Sequence, residues 1–157
     1  MGKEIERKFK VKDKTYKELS EGQLYKQGYL SIEPEHTVRV RVANNKGYIT
    51  IKGAVSGMVR KEYEYEIPAF EANELINSLC KKPIIEKYRY TFMLNGFIWE
   101  IDEFRGENEG LVLAEIELQS ENQQFQLPDW IGEEVTNDMR YYNSNLISNP
   151  YCKWGKY

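Results

Sequence analysis

The sequence predicts an α+β fold: a closed barrel (tunnel) of about eight antiparallel strands, with a few helices packed outside, forming a single domain over residues 1–157. Three observations predict it. Apolar and polar residues alternate with period two in many short runs. Asn, Gly and Pro separate the runs. Within a run, the alternate positions carry charge instead of the Ser, Thr and Gln of an ordinary solvated face.

Taken in order, the runs predict strands over 3–11, 24–32, 37–43, 48–54, 59–67, 84–94, 97–104 and 111–119. Asn44-Asn45-Lys46-Gly47 and Asn95-Gly96 tolerate positive φ and read as hairpin turns, so sequence neighbours should pair directly. Ala72, Leu75, Ile76 and Leu79 form one apolar stripe that predicts a helix over 70–81, stopped by Pro83. Thr136 as N-cap, with Asp138 in the first turn, predicts a second helix reaching about residue 148. A short helix is expected after Asp13, and the aromatic tail from 150 to 157 has no assigned place.

Composition narrows the function. A net charge of −3 and a pI near 5.4 argue against a nucleic-acid or anionic-membrane binder, which presents a basic excess to phosphate. No run reaches the length of a membrane span, and the start lacks a secretory apolar segment, so a cytoplasmic chain is expected. Gly2 is not a myristoylation site, because Glu6 stands where that motif needs Ser or Thr. Cys80 and Cys152 are too far apart for a disulfide framework or a zinc motif, and the single His36 excludes a His-rich metal cluster.

The charged positions on one face are Glu4, Glu6 and Lys8; Arg39 and Arg41; Lys52; Glu62, Glu64 and Glu66; Lys87 and Arg89; Glu100 and Asp102; Glu115 and Glu117. Residues between them, such as Ile5, Ile51, Tyr63, Tyr65 and Trp99, are mostly apolar and are expected to pack under helices; Arg7 is the exception on that face. An open sheet with one wet face explains alternation alone. Like charges two apart on a strand, however, lie about 7 Å from each other and repel by roughly 2 kcal/mol at an effective dielectric near 20. A closed barrel would gather the acids and the cations in one lumen. Carboxylates suit Mg²⁺ or Mn²⁺, and Arg and Lys suit phosphate oxygens, which together read as a metal-polyphosphate site. With no Gly-rich phosphate loop and no Ser or Cys nucleophile motif, water activated by a metal becomes the default attacking group.

Glu4-Ile5-Glu6-Arg7-Lys8 resembles the ExExK signature of the CYTH superfamily, the triphosphate tunnel metalloenzymes. The resemblance continues, in that family's order, through Gln27-Gly28-Tyr29-Leu30, Val38-Arg39-Val40-Arg41, Thr50-Ile51-Lys52, Arg60-Lys61-Glu62-Tyr63-Glu64, Glu86-Lys87-Tyr88-Arg89-Tyr90, Ile101-Asp102, Ala114-Glu115-Ile116-Glu117 and Gly132-Glu133-Glu134-Val135-Thr136. It implies an eight-stranded tunnel, two metal ions, and inorganic triphosphatase activity yielding pyrophosphate and orthophosphate. By the same resemblance, Glu4, Glu6, Glu115 and Glu117 would bind metal, with Glu64 and Asp102 as further ligands or orienters of water. Lys8, Arg39, Arg41, Lys52, Lys87 and Arg89 would grip the triphosphate. Tyr29 would pair with Lys8 and tune its charge, or simply be satisfied in the barrel wall. Lys8, Tyr29, Glu64 and Asp102 are thus the expected catalytic set.

Of the triple on one strand, the expected order of approach to the metal is Glu64, Glu62, Glu66, whereas Glu100, Glu133 and Glu134 read first as surface or rim acids. The expected partner is a small-molecule triphosphate, with no nucleic acid and no membrane, on a monomer or homodimer. A class IV adenylyl cyclase, or a nucleoside or thiamine triphosphatase, is the alternative on the same tunnel. A non-catalytic polyphosphate-binding barrel could dispense with the acids, and an apolar-ligand carrier would need an apolar lumen.

Overall fold

A computed structural model describes residues 2–155. Its strands are β1 (Lys3–Val11), β2 (Gln23–Glu33), β3 (His36–Ala43), β4 (Lys46–Gly53), β5 (Val59–Ile67), β6 (Ile85–Leu94), β7 (Phe97–Phe104), β8 (Val112–Glu117) and β9 (Ile131–Glu134). Helices α1 (Ala69–Ser78) and α2 (Asn143–Ser148) are joined by short 3-10 turns, among them Thr15–Glu18, where a short helix was expected. No described helix is long and apolar enough to cross a membrane.

Eight strands form a closed antiparallel ring in the order β1, β5, β4, β3, β2, β6, β7, β8 and back to β1. β1 closes it by dividing its length. Its first residues pair with β5, Glu4 opposite Arg60, and its later ones with β8, Glu6 opposite Glu117 and Lys8 opposite Glu115. Where β5 leaves the edge of β1, β9 takes its place, with Phe9 opposite Glu134 and Val11 opposite Ile131. This ninth strand was not expected from the sequence: Ile131-Gly132-Glu133-Glu134 is too short to show an alternation.

Local chemistry explains the hairpins. Asn44 and Asn45 both take positive φ (53° and 60°), as do Asn95 and Gly96 (53° and 82°), the backbone that turns β3 into β4 and β6 into β7 in two residues. Gly47 serves a different purpose. A Cβ there would stand 2.7 Å from the Cβ of Ala72, so its absence lets α1 sit down on the barrel.

Two apolar layers lie outside the ring. Phe9, Trp99, Ile101, Ala114 and Ile116 are covered by Tyr16, Trp130 and Phe125, and Val40 is covered by Ala72, Ile76 and Cys80. Beyond the reach of α1 the outer face of β4 and β5 is uncovered: Ile51, Tyr63 and Tyr65 are exposed, contrary to the expectation that they pack under a helix, whereas Ile49 and Ile67 lie against the α1 cluster. The one-helix reading of 136–148 is also corrected. Asp138 accepts a hydrogen bond from the Arg140 amide (3.1 Å) to start a 3-10 turn, Tyr142 is extended (φ −71°, ψ 133°), and α2 begins only at Asn143.

That break sends α2 over the lumen instead of along the outside. Leu146 and Ile147 of α2, with Tyr141, pack on Tyr29, Ile85, Phe104 and Leu113. Phe104 and Leu113 share the inward face of their strands with Asp102 and Glu115, so the helix caps the inside of the barrel. The tail joins this cap: Trp154 meets Tyr141 and Tyr151 edge-on at 5.1 and 5.0 Å, while Lys156 and Tyr157 lie outside the described residues.

Candidate active site

The inward faces surround a cavity of about 290 Å³. It brings together Glu4, Glu6 and Lys8 from β1, Tyr29 from β2, Arg39 and Arg41 from β3, Lys52 from β4, Glu62 and Glu64 from β5, Lys87 and Arg89 from β6, Glu100 from β7, and Glu115 and Glu117 from β8. Four acids fall elsewhere. Asp102 does not line the cavity, Glu66 is exposed opposite Tyr48, Glu133 pairs with Lys10 on the surface, and Glu134 pairs with Arg7 outside the ring.

The cations form an arc held by neutral groups and by carboxylates, Lys52 on Glu4 and Arg89 on Glu100 (3.3 Å) as well as on Asp102. Arg39 donates from Nη2 to Thr50 Oγ1 (3.1 Å), and Thr50 donates in turn to Glu64 (2.9 Å). Arg41 donates to Gln27 Oε1 (3.2 Å), and the ring of Tyr25 lies 4.9 Å from both the Arg41 and the Arg89 guanidinium carbons. Arg89 binds Asp102 with two bonds of 2.7 and 2.9 Å, and Lys87 reaches the same carboxylate at 2.7 Å. Asp102 therefore spends its oxygens on cations, an arrangement unlike that of a metal ligand.

Burial opposes charge throughout the lumen, and neighbours decide each outcome. Burial drives the Lys87 ammonium down to about 7; Asp102 resists this, while the Arg89 and Arg41 charges add to it. Burial, then Arg39 and Arg89, lowers Arg41 to about 9. The Asp102 carboxyl is held far below its ordinary range because Arg89 and Lys87 overcome its burial.

The acids pair. Glu62 is pushed up to about 7 by burial and by its hydrogen bond with Glu4, whereas Glu4 stays low because Lys52, 3.2 Å away, and that bond outweigh burial. Glu6 is raised well above its usual range by burial and the adjacent Glu115 charge; Glu115 is lowered, its burial overcome by Lys8 and the bond to Glu6. Glu117 is raised by burial and by Glu100 and Glu4. In each pair burial and the neighbouring carboxylate favour the protonated form of one member. Among the described residues no three acidic, His or Cys side chains form a ready-made metal cage. The donors still fit Mg²⁺ or Mn²⁺, because such ions commonly take one or two carboxylates and complete their shell with water and substrate phosphate.

Lys8 and Tyr29 do not hydrogen-bond to each other. Lys8 Nζ donates to the Tyr141 carbonyl oxygen (3.1 Å), and the Tyr29 hydroxyl lies 3.5 Å from Gln27 Nε2. Sequence reasoning missed Gln27, Tyr25 and Thr50 as site residues, although Tyr25 and Gln27 share the parity of Tyr29 on β2 and Thr50 that of Lys52 on β4. It also missed Asn143, which lines the cavity from α2. No alternation could flag a residue contributed by a helix.

The CYTH domain model matches residues 2–151. The inorganic triphosphatase of Acetivibrio thermocellus is 62% identical over 151 residues, covering 96% of this chain and 97% of that protein. The inorganic triphosphatase of Nitrosomonas europaea is 37% identical over 151 residues, covering 91% and 95%. A crystal structure of an inorganic triphosphatase superposes with a TM-score of 0.64 at 34% identity, covering 92% of this chain and 97% of its own. A ring of eight antiparallel strands with acids and cations facing one lumen, matched along nearly the whole chain, places this protein in the CYTH domain family.

Proposed function

We propose that this chain is a metal-dependent inorganic triphosphatase, hydrolysing tripolyphosphate to pyrophosphate and orthophosphate within the lumen. The observation that carries the reading is Arg39 Nε, a buried donor in the cation arc with no hydrogen-bond partner among the described residues. A donor left so costs about 1–3 kcal/mol, which an incoming phosphoryl oxygen would recover. The cavity volume also supports a small anion, since sites for larger organic ligands run to about 1,000 Å³.

In this reading Lys8, Arg39, Arg41, Lys52, Lys87 and Arg89 bind and orient the triphosphate, and their charge stabilises the negative charge gathered in the transition state. Glu4, Glu6, Glu115 and Glu117 would hold Mg²⁺ or Mn²⁺, two ions being the proposal. A bound ion supplies charge neutralisation and a more acidic water. Glu64, on Thr50 and 3.5 Å from Arg39, and Tyr29, on Gln27, orient their neighbours. Asp102 keeps Lys87 and Arg89 in place. The lining residues run from Glu4 to Ser144, so the chain is proposed to act as a single domain, as a monomer or homodimer. A cytoplasmic setting, where reduced Cys80 and Cys152 persist, is part of the same proposal.

The test is phosphate release from tripolyphosphate, ATP, thiamine triphosphate and pyrophosphate, each with Mg²⁺, Mn²⁺ or EDTA. Preference for tripolyphosphate, abolished by EDTA, is expected. Cyclic AMP formed from ATP without orthophosphate would replace this reading with the cyclase, and binding without turnover would leave a non-catalytic polyphosphate-binding barrel.

A further inference from the structure

The helix that caps the lumen carries one polar side chain whose orientation is dictated by its surroundings. Asn143 Oδ1 accepts from Lys87 Nζ at 2.8 Å and from Gln27 Nε2 at 3.3 Å. An ammonium has only donors to offer, so the amide atom facing Lys87 must be the oxygen. The same logic fixes Gln27, which is fully buried: its Oε1 meets the Arg41 guanidinium, another group without an acceptor, which leaves its Nε2 for Asn143 and Tyr29. Two cations at the ends of the chain Arg41, Gln27, Asn143, Lys87 thus leave neither amide free to flip.

The consequence lies at the other end of Asn143. Its Nδ2 donates to no group among the described residues, and the residue lines the cavity. The lumen therefore contains a neutral, pre-oriented N–H₂ donor beside Lys87, supplied by α2 and not by the barrel.

We propose that Asn143 is a substrate-binding residue, its Nδ2 donating to a phosphoryl oxygen of the triphosphate. This rests on the reading of the lumen as a triphosphate site. Through that bond, ligand on the barrel's cations also fastens the capping helix, which otherwise meets the barrel through the packing of Leu146 and Ile147 and the contacts of Asn143 Oδ1.

Two substitutions separate binding from mere positioning of Lys87. Asn143→Asp keeps an acceptor for Lys87 and Gln27 but turns the inward donor into an anionic oxygen; Asn143→Ala removes both ends. Tripolyphosphate binding is measured by calorimetry in EDTA, and KM in the metal-loaded enzyme. If Asn143 donates to substrate, Kd and KM rise about tenfold in the Ala variant and on the order of a hundredfold in the Asp variant, where like charges face each other. A residue that only positions Lys87 gives the reverse order, and an Asp variant with wild-type Kd overturns the proposal. In the unaltered protein, the Asn143 side-chain ¹⁵N–¹H₂ signals should move as tripolyphosphate is titrated; no movement at saturation also overturns it. Failure of wild-type protein to bind tripolyphosphate would overturn the lumen reading itself, whereas wild-type binding with an unaffected Asp variant removes Asn143 alone.

Discussion

Lys87 and Asp102 lie 2.7 Å apart, diagonally across β6 and β7, with side chains only 1% and 3% exposed. A carboxylate at that distance would ordinarily hold an ammonium fully charged. Here burial, with Arg89 and Arg41 nearby, still brings Lys87 down to about 7.

An anion entering the arc should restore that proton. Tripolyphosphate binding in EDTA at about pH 8 should be accompanied by uptake of about one proton at Lys87, read from the dependence of calorimetric heat on buffer ionisation enthalpy. Lys87→Met, which removes the group, should lose that uptake once the ligand's own protonation is subtracted. The sign for stability is separate. A folded pKa below the unfolded value near 10.5 means that this group's contribution is present above about pH 10.5 and lost as pH falls towards about 7. Uptake unchanged in the Met variant would place the titrating proton elsewhere.

Asp102→Asn keeps the shape and removes the charge that balances two buried cations. Breaking such a pair from one side costs about 3–5 kcal/mol, so the denaturant midpoint should fall and turnover with it. The Mg²⁺ concentration giving half-maximal rate should stay at its wild-type value, because the Asp102 oxygens are engaged by Arg89 and Lys87. A raised metal requirement at unaltered stability would return Asp102 to the metal site.

Glu4→Gln and Glu115→Gln should lower kcat by at least on the order of a hundredfold while the fold persists, since each removes one charged member of an acid pair proposed to hold the ion. Arg39→Ala should act mainly on KM. Stopped-time phosphate assays over a range of tripolyphosphate and Mn²⁺ separate the two effects, and full activity in either Gln variant would remove that glutamate from the site.

Most of the lumen was legible because a strand's parity is absolute. Once Glu4, Glu6 and Lys8 share a face, closure of the ring carries them inward together, and the same holds for Arg39 with Arg41 and Glu115 with Glu117. Parity does not report depth, which is why Asp102, on the inward face, turned out to lie behind Lys87 and Arg89. Nor does it count neutral residues: Thr50 and Gln27 lie in register with Arg39 and Arg41 yet carry no charge to draw notice. The cap was hidden for another reason. Its fold depends on the extended Tyr142, and its contacts with Lys8 and Lys87 join residues far apart in sequence.

Arg7, the basic residue on the apolar face of β1, explains how that cap is moored. It spans the Phe9 and Phe125 rings and binds Glu134 at 2.6 and 2.9 Å; Glu134 takes the Thr136 hydroxyl, and Thr136 Oγ1 accepts the Lys8 amide (3.0 Å). Since the Arg7–Glu134 pair is about one third exposed, Arg7→Gln should cost no more than about 1 kcal/mol of global stability. Its larger effect should be local, as faster hydrogen exchange over residues 135–148. The hydrogen bond from Arg7 holds the Glu134 carboxyl below its ordinary range, so this contribution is present above the unfolded carboxyl value and lost as pH falls through the lower folded one. Thermal unfolding should therefore separate wild type from Arg7→Gln at pH 7 and converge in acid, once the pH has fallen through the lowered Glu134 value. Equal separation at both pH values would show that the stacking of Arg7 on Phe9 and Phe125, not its ion pair, is what holds the cap.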